Sequence, residues 1–254
     1  MTLKTTIALP DKTYNYKINS LPPVYVRTGV IGDGSCFFHA YLRAFHLKYK
    51  YMPTKDRREY VQKLRREIAD TVDLEKFKTI SDGEYRKMLF FGALRQLLDK
   101  QYIPILEKVT TFKENFYTSF IQEIFQEMEI ADKKAFVAEM KKIFLKANDL
   151  ALVHFKNTIE TEEIGSTEIE YISKHLRCNF LFLYETTDGV EIYPFTKIVD
   201  MDWPFCVLLW VQQSHYEIIG KKDENSVITR VFYKDDDIVR LFLSDNAPII
   251  DGTV

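Results

Sequence analysis

The sequence predicts an α+β fold: a central, mainly antiparallel sheet packed by helices, with a helical insertion. Two observations carry this. Up to about residue 160 most apolar residues recur at helical intervals, and beyond it the chain switches to short apolar runs separated by turn signals. Helices first and a strand cluster later is the order of an α+β domain. At 46% hydrophobic and 28% charged, the 254 residues can build a full core. Gly and Pro are scarce, so no flexible linker divides the chain, which reads as one domain (1–254) with a helical insert at about 104–158.

Residues 1–30 hold β-favouring pieces, "TTIAL" and "PPVYVRTGVI", broken by prolines. From Cys36 to about Tyr49, Phe37, Ala40, Tyr41, Ala44 and Phe45 recur with helical spacing. A second helix fits Asp56 to Val72, with Tyr60, Val61, Leu64 and Ile68 on one face. Its run "KDRREYVQKLRRE" (55–67) interleaves acids and bases and reads as a solvated face. A third starts at "SDGE", where Ser81 and Glu84 have capping-box spacing, and runs to about Tyr102. Residues 104–158 are rich in Phe, Lys and Glu and predict two or three packed helices. Strands follow at "NFLFLY" (179–184), "VEIYPF" (190–195), "FCVLLWV" (205–211), "HYEIIG" (215–220) and "SVITRVFY" (226–233). A short helix, "DDDIVRLFLS" (235–244), closes the fold with acids in its first turn.

A net charge of −2 and a pI near 6.2 give no electrostatic case for a nucleic-acid or anionic-membrane partner. The N-terminus lacks the apolar core of a signal peptide and no run approaches a membrane span, so an intracellular, cytoplasmic location is expected. Three widely spaced cysteines with no CxxC pair make neither a disulfide framework nor a zinc site, and no metal or cofactor is expected.

Cys36 follows the turn "GDGS" and opens a helix, where free N–H groups and the positive end of the helix dipole favour a thiolate. Gly32 and Gly34 allow a turn tight enough to aim N–H groups at a developing oxyanion. An isolated cysteine at a helix start is more often an inert core residue, and Cys178 and Cys206, inside strands, keep that reading. His39, His46, His154 and His175 fall in helical segments and read as surface or packing residues. His215 opens a strand after the turn "QQS", and Glu217, two residues on, shares its face. There the carboxylate can accept from the ring N–H and fix the tautomer. The plainer alternative is a solvent-facing His and Glu on an edge strand.

Together, "GDGSCFF" (32–38), "IGSTEIEYIS" (164–173) and "FCVLLWVQQSHYEII" (205–219) are more specific than any one of them. The sequence resembles the ovarian-tumour (OTU) family of cysteine deubiquitinases. That family has a D-G-x-C-aromatic block, a middle G-x-x-E block, and a late apolar strand leading to His, an aromatic and an acid or Asn. The resemblance spans roughly residues 30–220 and implies an OTU-like, papain-type protease fold. It makes Cys36 the nucleophile, His215 the general base and Glu217 the residue that orients it, where many members carry Asn or Asp. Asp33 and Gly34, with the Cys36 backbone, would form the oxyanion loop, and Glu168 would be structural.

The implied reaction is hydrolysis of the isopeptide bond between ubiquitin and a lysine, without a cofactor. The implied partners are ubiquitin or polyubiquitin chains, or a ubiquitin-like modifier. Trp210 and Tyr216 would line the groove for the Gly-Gly tail, with Phe37 favoured as core. Glu162 and Glu163, in the acidic stretch "ETEE" (160–163), would face the basic tail. Large DNA viruses and intracellular bacteria carry stand-alone OTU domains, and this chain suits either. The competing readings are a non-catalytic ubiquitin-binding module on the same fold and a different papain-like thiol hydrolase.

Overall fold

The computed structural model describes residues 6–18, 21–78, 83–109, 116–185, 190–192, 198–211 and 215–245. Two compact units emerge: residues 1–68 with 159–254, and residues 69–158.

The first unit holds the sheet. Its strands are β1 (Thr13–Asn15), β2 (Tyr25–Thr28), β3 (Asn179–Glu185), β4 (Val190–Ile192), β5 (Phe205–Val211), β6 (His215–Lys222), β7 (Ile228–Thr229) and β8 (Val231–Phe232). The order is β1-β2-β6-β5-β3-β4, with β7 on β6 and β8 on β5. Every pairing is antiparallel except β3 with β5, where Asn179 stands beside Phe205. These two strands are the longest apolar runs because they are interior, covered on both faces. Asn179, wholly buried, fixes the return between them: its side-chain carbonyl accepts from Val199 N–H at 2.9 Å and its amide donates to Asp200 O at 2.6 Å.

One sheet face carries Leu181, Leu183, Phe205, Val207, Leu209, Val211 and Ile219 in a core with Ile238, Val239 and Phe242 of the closing helix (Asp237–Asp245). The helix α1 (Cys36–Phe45) brings Phe37 to ring-centroid distances of 4.5 Å from Phe180 and 6.3 Å from Phe182. Phe37 is 2% exposed, and burying a side chain of that size contributes about 1.5–3 kcal/mol. It is core, as the sequence favoured.

The helix α2 (Thr54–Asp70) departs from its predicted polarity. Tyr60 is exposed, whereas Arg57 and Arg65, read as part of a solvated face, are buried. Arg57 donates to Met52 O, Lys50 O and, at 2.6 Å, to Asp11. Spaced eight residues apart with Val61 between them, the two arginines share the buried stripe because backbone carbonyls satisfy their N–H groups.

The second unit is helical: α3 (Leu74–Lys78), α4 (Gly83–Leu97), α5 (Ile103–Lys108), α6 (Phe116–Glu127) and most of α7 (Lys133–Thr161). Phe144 is its aromatic hub, 5.7 Å from Phe90, 4.8 Å from Tyr117 and 5.8 Å from Phe120 between ring centroids. A break separates α4 from α5, where one helix to Tyr102 was predicted. Ser81 of the predicted capping box, the ends of "VEIYPF" and "TTIAL", and the turn "QQS" lie outside the described residues. Among the described residues no helix is long and apolar enough to cross a membrane, and no cluster of His, Cys, Asp and Glu could hold a metal.

Candidate active site

All residues of the site belong to the first unit. Cys36 is the first residue of α1, preceded by Ser35 as N-cap. Gly34 has φ +80°, a left-handed conformation that an L side chain disfavours, and it lets the chain turn sharply into the helix. The first backbone bond closing the helix runs from His39 N–H to Ser35 O at 3.1 Å, so the first-turn amides ahead of it have no intrahelical acceptor.

Cys36 Sγ accepts from Tyr216 N–H at 3.4 Å, which joins the start of α1 to the start of β6 across 180 positions of sequence. The imidazole of His215 stands over Gly32: a Cβ there would lie 3.5 Å from both Cε1 and Nδ1. His215 is 7% exposed, and its Nε2 is buried without a hydrogen-bond partner. The structure therefore brings together the cysteine, the histidine and the glycine turn.

Burial pushes the Cys36 thiol above its ordinary value of 9.0, against the N–H groups of Tyr216, Phe37 and Cys36 itself, while the Asp33 charge adds to the rise. Burial lowers His215 below 6.5. Both shifts run toward the neutral forms, thiol and imidazole. At Cys36, desolvation opposes the stabilisation that the helix N-terminus gives a thiolate.

Asp33 anchors the loop. Its carboxylate accepts from His39 Nε2 at 3.1 Å, Ser35 N–H at 3.1 Å and Arg58 Nε at 3.2 Å, while His39 Nδ1 bonds the Tyr49 hydroxyl. Burial alone would raise its pKa, but the His39 bond and charge, the Ser35 N–H and Arg58 carry it below 3.8.

Glu217 is neither at an edge nor in solvent. It is fully buried on β6, which lies between β2 and β5. Its Oε1 accepts from Ala8 N–H at 2.6 Å and its Oε2 from Arg27 Nη1 at 3.3 Å. The orienting hydrogen bond that the resemblance implies is thus not made to His215 Nε2. The cause is the N-terminal segment, which packs so closely that a Cβ on Gly29 would come within 2.4 Å of Leu9 O. The Ala8 N–H buried there takes the carboxylate as its acceptor.

Trp210, 37% exposed, stands opposite Tyr216 across β5 and β6. The Tyr216 ring, half-buried, lies 5.4 Å from Phe182 and 6.3 Å from Phe37 between centroids. Glu160 and Thr161 belong to α7, so only Glu162 and Glu163 of "ETEE" are loop, and both are exposed. In the middle block, Glu168 is buried and accepts from Gly165 N–H at 2.9 Å, capping α8 (Ser166–Leu176).

Sequence reasoning missed Arg65, whose guanidinium reaches the cysteine loop at Ser35 Oγ, 2.7 Å away. Nothing in "KLRRE" distinguishes Arg65 from Arg66, which is exposed and pairs with Glu160. Only the eight-residue spacing from Arg57 hints at it.

Neither protein-family models nor curated protein sequences matched this chain. Solved structures did. The chain is similar to an OTU domain determined in complex with ubiquitin (15% identity, TM-score 0.39, covering 93% of this chain and 90% of that one). It is also similar to the OTU domain of OTUD1 (12% identity, TM-score 0.31, covering 77% and 85%). At these TM-scores the overlap is partial, and the functional reading rests on the motifs and on the site.

Proposed function

We propose that this chain is an OTU-type cysteine isopeptidase that cleaves ubiquitin from lysine side chains. The observation that carries the reading is the Tyr216 N–H to Cys36 Sγ bond, which seats the His215 strand start on the cysteine at a helix N-terminus. An inert core cysteine has no need of a buried imidazole beside its loop.

As Sγ attacks the isopeptide carbonyl, neutral His215 takes the thiol proton. The first-turn amides of α1 receive the oxyanion. When the tetrahedral intermediate collapses, the C–N bond breaks and His215 gives the proton to the leaving lysine amine. Water, deprotonated by His215, then adds to the thioester, and the thiol is restored as the C–S bond breaks. Trp210 and Tyr216 offer aromatic walls for the Gly-Gly tail, and Glu162 and Glu163 offer charge for its basic residues. Three free cysteines suit a reducing, intracellular setting.

One observation favours a second reading, a non-catalytic ubiquitin-binding module: Glu217 is bonded to Ala8 and Arg27, and His215 Nε2 has no partner. A panel of di-ubiquitin linkages and a fluorogenic ubiquitin-like modifier, run beside Cys36→Ala, separates the two. Cleavage of at least one member by the wild type alone is expected. Binding without cleavage supports the module, and cleavage that survives in Cys36→Ala removes the assigned nucleophile.

A further inference from the structure

Arg65 is 2% exposed, and its guanidinium bonds the cysteine loop and the chain at the end of α7. Nε donates to Ile159 O at 2.7 Å, Nη2 to Glu162 O, and Nη1 to Ser35 Oγ at 2.7 Å and Gly34 O at 3.4 Å. The guanidinium carbon sits 5.1 Å from the centroid of the Phe38 ring. Burying a cation is costly, and the planar fork holds its partners in a fixed geometry.

Arg65 and Asp33 hold the two ends of one peptide unit, Gly34–Ser35. Gly34 O is drawn to Arg65, and the N–H of the same peptide, on Ser35, is drawn to Asp33 Oδ1 at 3.1 Å. A peptide beside a glycine at φ +80° rotates easily unless both ends are held. Its orientation sets the direction of the next amide, Cys36 N–H, an oxyanion donor in the proposed reaction.

We propose that Arg65 is a positioning residue for the oxyanion loop: its buried fork locks the Gly34–Ser35 peptide against Asp33 and so aims the Cys36 amide at the reacting carbonyl. Through these bonds Arg65 acts on the loop and not on the reacting carbonyl. The inference rests on the isopeptidase reading and adds to it a residue that the family-like blocks do not contain.

The test compares Arg65→Lys and Arg65→Gln with wild type in three measurements. These are steady-state hydrolysis of a ubiquitin C-terminal fluorogenic amide, alkylation of Cys36 by iodoacetamide, and thermal unfolding. Alkylation develops no oxyanion, so it reports the thiol without the hole. Expected for Arg65→Lys, which keeps the charge but loses the fork, is a kcat lowered on the order of 10²-fold, KM within about twofold and an alkylation rate within about twofold. Arg65→Gln behaves alike where it folds, and Arg65→Lys carries the test where it does not. An unchanged kcat overturns the proposal. A parallel fall in kcat, alkylation rate and Tm also overturns it, by reducing Arg65 to a fold contact. A wild type that hydrolyses nothing overturns the isopeptidase reading itself, and this inference with it.

Discussion

The two halves of the candidate site are held in opposite ways. The cysteine loop is tied from every side: Asp33 by His39 and Arg58, Ser35 by Asp33 and Arg65, and Gly34 by Arg65. On the histidine opposite, Nε2 is buried without a hydrogen-bond partner, and the nearest acid in sequence, Glu217, bonds Ala8 and Arg27. An oxyanion loop works by fixed geometry, so bonds serve it. A general base must gain and lose a proton in each cycle, and a buried imidazole with no ionic partner stays neutral and able to accept one. In the proposed reaction, fixed geometry serves the cysteine side and proton exchange the histidine side.

That contrast can be broken most directly at His215. His215→Ala removes a side chain whose Nε2 makes no hydrogen bond, so kcat should fall about 10²–10⁴-fold with little change in Tm. A large loss of Tm would show that the imidazole is a core residue first. Glu217→Ala should do the reverse. Leaving Ala8 N–H without its acceptor and Arg27 without its ion pair costs about 1–3 kcal/mol, read as a Tm lowered by about 2–4 °C per kcal/mol, with kcat within tenfold. A hundredfold loss of kcat at unchanged Tm would mean that Glu217 turns to His215 during catalysis. Reversing the charges of Glu162 and Glu163 together should raise KM for ubiquitin substrates a few-fold at low salt, since exposed charges steer weakly. An unchanged KM removes that loop from the interface.

The smallest effect expected is on pH dependence. His215 titrates below 6.5 in the folded chain, so the acid limb of kcat/KM should have its midpoint below pH 6.5. The folded state binds fewer protons than the unfolded one there. The corresponding stability is complete above pH 6.5 and is lost as pH falls through the folded value. Urea denaturation of wild type and His215→Ala at pH 5 and pH 8 should show this slope in wild type alone.

Much of the sheet was legible because "NFLFLY" and "FCVLLWV" are apolar enough to declare interior strands, and "HYEIIG" follows after a turn. The parallel pairing of β3 with β5 was not, since it depends on the return that Asn179 fixes through Val199 and Asp200. Cys36 and His215 could be read because their blocks are local in sequence. Arg65 and the partners of Glu217 could not: each bond joins residues far apart, 94 positions for Arg65 to Ile159 and 209 for Ala8 to Glu217. A charged side chain is assigned to solvent by its type, and only the fold shows that carbonyls or an N–H await it inside.

The most direct measurement is intact mass after incubation with ubiquitin carrying a C-terminal electrophile in place of the scissile carbonyl. One ubiquitin should add per chain, mapped by peptide mass to Cys36, with none added to Cys36→Ala and the rate reduced in His215→Ala. No adduct, or an adduct on Cys178 or Cys206, would contradict the assignment of Cys36 as the nucleophile of a ubiquitin isopeptidase.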